Sequence, residues 1–167
     1  TKNVLGKEDT IATVQVDFYS AKRFDLNFIN EKGEKEPPVI IHRAIMGSFD
    51  RFFAFLVEKT GGNFPVWLSP IQILIIPVGE KFNGYGKKVL AELKSAGIRV
   101  EIDDSAETLG KRIRAGKTKK IPYLLVIGEK EEKENTVSIN ARDKKEQEIL
   151  PLVQFTEKIL KEITDKK

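Results

Sequence analysis

Pro37-Pro38-Val39-Ile40-Ile41-His42-Arg43-Ala44-Ile45-Met46-Gly47-Ser48-Phe49-Asp50-Arg51 is the stretch around which the rest of the chain is organised. An apolar run enters as a buried strand, the only histidine sits at its end as His42, and a helical pattern follows at once with a small residue at Gly47. Ile45, Phe49, Phe52, Phe53 and Leu56 recur at the helical interval, which marks the face turned to a core. Ser48 and Arg51, three apart, share a neighbouring face. A hydroxyl and a guanidinium side by side on a rigid helix, one turn beyond an imidazole, suit a polyanionic ligand such as a nucleotide. An amphipathic helix with ordinary solvated polar residues would show the same spacing.

Upstream, Thr10 to Tyr19 alternates β-branched with polar residues, so one face should be buried while the other carries Thr13, Gln15 and Asp17. Arg23 to Asn30 reads as a second strand, and Glu31 to Lys35 as a hairpin turn with Gly33 free to take positive φ. With Val39 to His42 as the third strand, the pattern predicts an antiparallel meander with a helix over 43–60 packed on it. Thr1 stands close to the first regular segment, as in a chain cut from a larger protein.

Downstream, Gly61-Gly62-Asn63-Phe64-Pro65 ends the helix, and residues 64–70 read as a linker in which Trp67 seals the joint. Ile71 to Val78 is an apolar run expected of a strand buried on both faces. Then come a helix over 82–96, strand 99–103, helix 107–115, strands 122–127 and 136–141, and a closing helix 152–163 whose seam is Leu152, Phe155, Ile159 and Ile163. Alternation of strand and helix argues a mainly parallel sheet, but Gly128 to Asn135 is too short for a crossover, so that pair is antiparallel and the sheet mixed. Three regions result: 1–63, a linker 64–70, and 71–167.

Lys111, Arg112, Arg114, Lys117, Lys119 and Lys120 crowd the middle helix and the loop after it, a patch able to face phosphates or simply a solvated helix face. The acidic cluster Glu129, Glu131, Glu132 and Glu134 can accept hydrogen bonds from base edges. The formal charge of +4 and pI near 9.1 lean the same way only mildly. An absence of cysteine excludes a disulfide framework. No apolar run is long enough to span a bilayer and no signal sequence is visible, so a cytoplasmic location is expected.

Ile41-His42-Arg43-Ala44-Ile45-Met46-Gly47-Ser48, followed by Arg51 and by Phe64-Pro65-Val66-Trp67-Leu68-Ser69-Pro70, closely resembles motif 3 of the threonyl-tRNA synthetases, which are class II enzymes, and its exit into their anticodon-binding domain. The series Arg99-Val100, Leu109-Gly110, Ile113-Arg114, Ile121-Pro122-Tyr123 and Gly128-Glu129-Lys130-Glu131 resembles that domain itself. The resemblance implies an α/β fold: an antiparallel meander and helix from the class II catalytic domain, then a mixed five-stranded α/β anticodon-binding domain. It implies a threonine-tRNA ligase in which ATP drives attachment of threonine to tRNA(Thr), this piece supplying anticodon recognition and part of the ATP and threonine site.

Carried over by position, Gln15 would contact threonine, Thr13 the adenylate, and Ser48 and Arg51 ATP. His42 would be one of three zinc ligands gripping the amino group and hydroxyl of threonine, a polar grip that discriminates against valine where an apolar pocket could not. One histidine and no cysteine cannot complete such a site. The remaining ligands and the other catalytic motifs are therefore expected upstream of Thr1, and this piece alone is expected to hold neither zinc nor ATP and to be inactive. Asp9-Thr10-Ile11-Ala12 stands where many relatives carry Trp-Gln-Cys-Gly, a departure on the adenine side.

Anticodon-reading positions map to Ala106, Arg114, Glu131 and Asn140. Ala106 replaces a usual asparagine and Asn140 a usual arginine, for which Arg142, two residues on, offers a substitute guanidinium. Arg114 and Glu131 are expected to converge on one groove. The full-length enzyme is expected to be a homodimer. A non-catalytic accessory protein reusing the anticodon-binding fold is the alternative, against which the set Thr13, Gln15, His42, Ser48 and Arg51 counts.

Overall fold

The computed structural model describes residues 1–144 and 146–166, and the chain divides into two units, Thr1–Gly61 and Gly62 onward. The first holds β1 (Thr13–Asp17), a single turn α1 (Ser20–Arg23), a hairpin of β2 (Phe28–Ile29) and β3 (Lys35–Glu36), then β4 (Ile40–Ala44) and helix α2 (Phe49–Thr60). The expected three-stranded meander is instead two separate pairs, β1 with β4 and β2 with β3, both antiparallel. Asp17, whose carboxylate accepts the Tyr19 and Ser20 N–H groups at 2.8 and 2.9 Å, turns the chain into α1 at the end of β1, and only Phe28–Ile29 of the expected second strand 23–30 is extended. Gly33 takes φ +80° and closes the hairpin, as the sequence requires.

Helix α2 starts at Phe49 and not at Arg43. The β4 ladder continues to Ala44, opposite Thr13, and Gly47 at φ +61° turns the chain before Ser48 caps the helix, its Oγ accepting the Arg51 N–H at 3.2 Å. Gly61 ends it in the left-handed conformation. The face expected to enter a core does not do so within this unit: Ile45 is 70% exposed and Phe49 75%, and Val14 and Val16 on β1 are exposed as well. Ala21 is the one buried residue among those described before Gly62.

In the second unit the elements run β5 (Ile73–Pro77), α3 (Asn83–Ser95), β6 (Val100–Ile102), α4 (Leu109–Thr118), β7 (Tyr123–Ile127), α5 (Glu129–Glu134), β8 (Thr136–Ala141), β9 (Glu148–Pro151) and α6 (Leu152–Thr164). They build a five-stranded sheet in the order β6-β5-β7-β8-β9, parallel across the first three and antiparallel across the last two pairs. The mixed sheet is as expected. Two elements escaped the sequence reading: α5, which is short and built of charged residues, and the edge strand β9, whose Pro151 read as a helix start.

Alternation along the strands sorts two cores. Ile73, Ile75, Leu125, Ile127, Val137 and Ile139 face one way and meet Val89, Leu93, Phe155 and Ile159 of α3 and α6. Leu74, Ile76 and Leu124 face the other way, under Leu109 and Ile113 of α4. Gly116 lets α4 lie close: a Cβ there would stand 2.7 Å from Leu124 and 3.1 Å from Leu74.

Residues 64–70, read as a linker, belong to this second unit. Val66 is buried in its core, the Gln72 Nε2 donates to Val66 O at 2.9 Å, and Arg99 donates to Trp67 O and Ser69 O at 2.7 and 2.9 Å. Trp67 itself is only partly buried, with Lys166 Nζ 5.9 Å from its ring centre.

Candidate functional site

The β1–β4 register sets Gln15 directly opposite His42 and Thr13 opposite Ala44. Thr13, Gln15 and Asp17 alternate onto one face, so Gln15, His42 and Asp17 are neighbours there. His42 Nε2 lies 3.0 Å from Asp17 Oδ2. These three residues, with Val16, Phe18, Tyr19 and Lys22, line an open cavity of about 690 Å³. The Ser20 hydroxyl, ahead of the Ser20 N–H, His42 and the Tyr19 N–H, holds the Asp17 carboxyl well below the usual carboxylate range. Lys22 was not singled out from the sequence, because it falls between the two segments that read as strands, in the turn α1.

Ser48 and Arg51 are not presented as a pair. The Ser48 hydroxyl is engaged as the cap of α2, while Arg51 lines a separate cavity of about 280 Å³ with Asp9, Thr10, Ile11 and Glu58. The departure at Asp9 to Ala12 thus lies beside the candidate nucleotide-binding arginine. Among the described residues no group of three or more histidine, cysteine, aspartate or glutamate side chains gathers to hold a metal ion. Among the described residues, His42 alone offers an imidazole of the kind a zinc site uses, with Asp17 hydrogen-bonded to it.

In the second unit, α4 turns its Arg112 towards the end of β6. That side chain is 6% exposed and its Nη1 donates to Asp103 O at 3.0 Å. The opposite flank of the helix carries Gly110, Arg114 and Lys117. Arg114 and Lys117 are exposed there, whereas Lys111 is paired with Glu107 at 2.9 Å. On β8, Val137 and Ile139 point into the core under α6, so Ser138 and Asn140 point to the α4 side. Ile149, opposite Ser138, is 55% exposed, but Ser138 itself is buried, its Oγ accepting the Gln147 Nε2–H, and Asn140 is partly buried.

Ala106 is exposed in the loop between β6 and α4, at the same end of the sheet as α5, where the parallel strands β6 and β7 finish. Glu131, in the first turn of α5, spends one carboxylate oxygen on the Gly128 N–H at 2.9 Å. Arg142 does not reach across to Asn140 with a free guanidinium: its Nη1 donates to Phe64 O and Lys120 O at 3.1 and 3.0 Å, and its Nη2 pairs with Asp143 at 3.4 Å. Arg114 and Asn140 thus share one side of the sheet, and Ala106 and Glu131 one end of it.

Comparison with known proteins fits this division. Residues 72–162 match the family described as anticodon binding domain, and residues 1–60 match the tRNA synthetase class II core domain (G, H, P, S and T). Over 99% of its length the chain is 45% identical to a threonine–tRNA ligase of Clostridium botulinum and 47% identical to threonine–tRNA ligase 2 of Bacillus subtilis. It spans about a quarter of the length of these curated relatives, 26%. Among solved structures, the RNA binding domain of threonyl-tRNA synthetase from Cryptosporidium parvum Iowa II superposes with a TM-score of 0.80 at 38% identity, covering 96% of this chain and 40% of that one. Prolyl-tRNA synthetase from Cryptosporidium parvum, complexed with L-proline and AMP, gives 0.76 at 26% identity over 93% of this chain and 35% of that one. The chain therefore belongs to the anticodon-binding-domain family, joined here to a stretch of the class II tRNA synthetase core.

Proposed function

We propose that the chain works in threonine–tRNA ligation, its second unit reading the anticodon of tRNA(Thr) and its first supplying part of the ATP and threonine site. The observation that supports this most is continuity: one set of proteins, all threonine–tRNA ligases, matches through both units at 42–47% identity. In this reading Gln15 contacts threonine from the β1–β4 face, Thr13 the adenylate, and Arg51 the phosphates of ATP, with Ser48 holding the start of α2 in place. His42 contributes one ligand to a zinc site that other parts of the ligase complete. Threonine, ATP and a second copy of the full-length enzyme are the further partners, and the cytoplasm is the place of action.

Arg114 is the leading reader of the anticodon, with Asn140 on the same side of the sheet and Ala106 and Glu131 at its end. Unpaired bases suit such a surface, because their edges are free to meet a guanidinium, an amide and a carboxylate while neighbouring cations hold phosphates. Filter binding of the chain to tRNA(Thr) with native and altered anticodons is the test. The native anticodon is expected to bind tightest, and Arg114→Ala to lose about 1–3 kcal/mol and flatten the preference. Equal affinity for every anticodon would overturn the reading and leave only phosphate contact, recognised by a fall in log affinity with log salt.

A non-catalytic protein reusing the same fold differs in one measurable way. Placed in a full-length ligase, Arg51→Ala should depress ATP–pyrophosphate exchange by about a hundredfold if that side chain clamps phosphate, and leave tRNA binding unchanged.

A further inference from the structure

Asp17 is the most heavily bonded side chain of the first unit. Its Oδ1 accepts the Tyr19 and Ser20 N–H groups at 2.8 and 2.9 Å, and its Oδ2 accepts the Ser20 hydroxyl while lying 3.0 Å from His42 Nε2. Four partners fill the lone-pair directions of one carboxylate, so it is fixed in orientation. It ties the end of β1 and the start of α1 to the middle of β4, and its neighbours in the cavity are Gln15 and His42. An ionised carboxylate only accepts, so the imidazole nitrogen facing it must carry the hydrogen. In a neutral ring the other nitrogen is then bare.

We propose that Asp17 is the positioning residue for His42: by accepting the Nε2–H it fixes both the ring plane and the tautomer, so that Nδ1 presents a lone pair towards the cavity shared with Gln15. His42 thus donates through Nε2 to Asp17 and offers Nδ1 as a ligand nitrogen. Nδ1 is then the nitrogen left free to coordinate, with Gln15 directly opposite on the neighbouring strand and lining the same cavity. The tautomer rests on the geometry alone; its use in handling threonine rests on the function proposed above.

The chain contains a single histidine, so ¹⁵N-labelled protein gives one imidazole spectrum without ambiguity. A hydrogen-bonded Hε2 resonance, slow enough in exchange to be observed, with Nε2 of the protonated type and Nδ1 of the bare type, is expected. Asp17→Ala should abolish that resonance, Asp17→Asn should keep a weaker one, and Ser20→Ala, which removes a different bond of the same carboxylate, should leave it in place. A ring protonated on Nδ1, or an Hε2 resonance unchanged by Asp17→Ala, would overturn the proposal. Loss of the resonance in Ser20→Ala as well as in Asp17→Ala would make Asp17 a general support of the turn and overturn it too.

In a full-length threonine ligase carrying this unit, Asp17→Asn is expected to raise the threonine KM about tenfold or more with the KM for ATP unmoved. Equal changes in both would overturn the positioning role. A wild-type enzyme that fails to use threonine at all would instead strike the function proposed above and leave the tautomer result standing.

Discussion

Arg142 lies two residues beyond Asn140, near enough along the strand to offer its charge to whatever Asn140 touches. Its guanidinium bonds two main-chain carbonyls instead, those of Phe64 and Lys120, and its side chain is only 18% exposed. Arg142→Ala removes a charged donor from both carbonyls, Phe64 O keeping the Ser69 hydroxyl at 3.2 Å, so it is expected to cost about 1.5–3 kcal/mol. The measurement is urea unfolding, where the midpoint should fall with an unchanged slope, while the anticodon preference of the bound tRNA stays as in wild type. At this scale the sequence was legible where periodicity decides. Thr13, Gln15 and Asp17 fall on one strand face as alternation requires, and Gln15 meets His42 because both strands were placed correctly. It was not legible where a side chain turns to the backbone. Ser48 was read as lying on the helix with Arg51, whereas it stands at the cap, its hydroxyl accepting the Arg51 amide.

Elements of the second unit were readable because their burial is complete. A strand with every residue buried, as β5 is, leaves a continuous apolar run, and the stripes of α3 and α6 repeat at the helical interval. β9 and α5 were not, since an edge strand carrying Glu148 and ending in Pro151, and a six-residue helix of glutamates and lysines, leave no such trace. The segment 64–70 was misjudged for another reason: composition shows its prolines but not the distant Gln72, Arg99 and Arg142 that collect its carbonyls. A fragment beginning at Ile71 is therefore expected to be less stable than one beginning at Gly62. Losing Val66 from the core costs about 1.5–3 kcal/mol. Leaving the buried Gln72 amide without its acceptor adds about 1–3 kcal/mol. Equal urea midpoints for the two fragments would show that the strap is dispensable.

Across the whole molecule, apolar burial is divided very unevenly. Val66, Ile73, Ile75, Val89, Leu93, Leu125, Phe155 and Ile159 are among the residues buried from Gly62 onward, whereas before it Ala21 alone is buried among the described residues. The hydrophobic periodicity of 39–56 was real, yet the partner it was patterned for is not supplied within the unit. Phe49 and Phe53 stack on each other at 6.3 Å and remain exposed. Local stability follows burial, because an opening that exposes little new apolar surface costs little. Native-state hydrogen exchange should therefore separate the two units. Amides of β5, β7 and α3 are expected to exchange only through global unfolding, and those of β1, β4 and α2 through local openings, faster by about two orders of magnitude or more, equivalent to about 3 kcal/mol at 1.4 kcal/mol per decade. If the class II core segment reaches its working stability only against further apolar surface, a ligase containing the rest of that core should slow exchange in α2 and leave β5 unchanged. Equal protection of α2 and α3 in the 167-residue chain would mean that hydrogen bonding and the β1–β4 ladder hold the first unit without a core, and the proposed dependence on outside surface would fall.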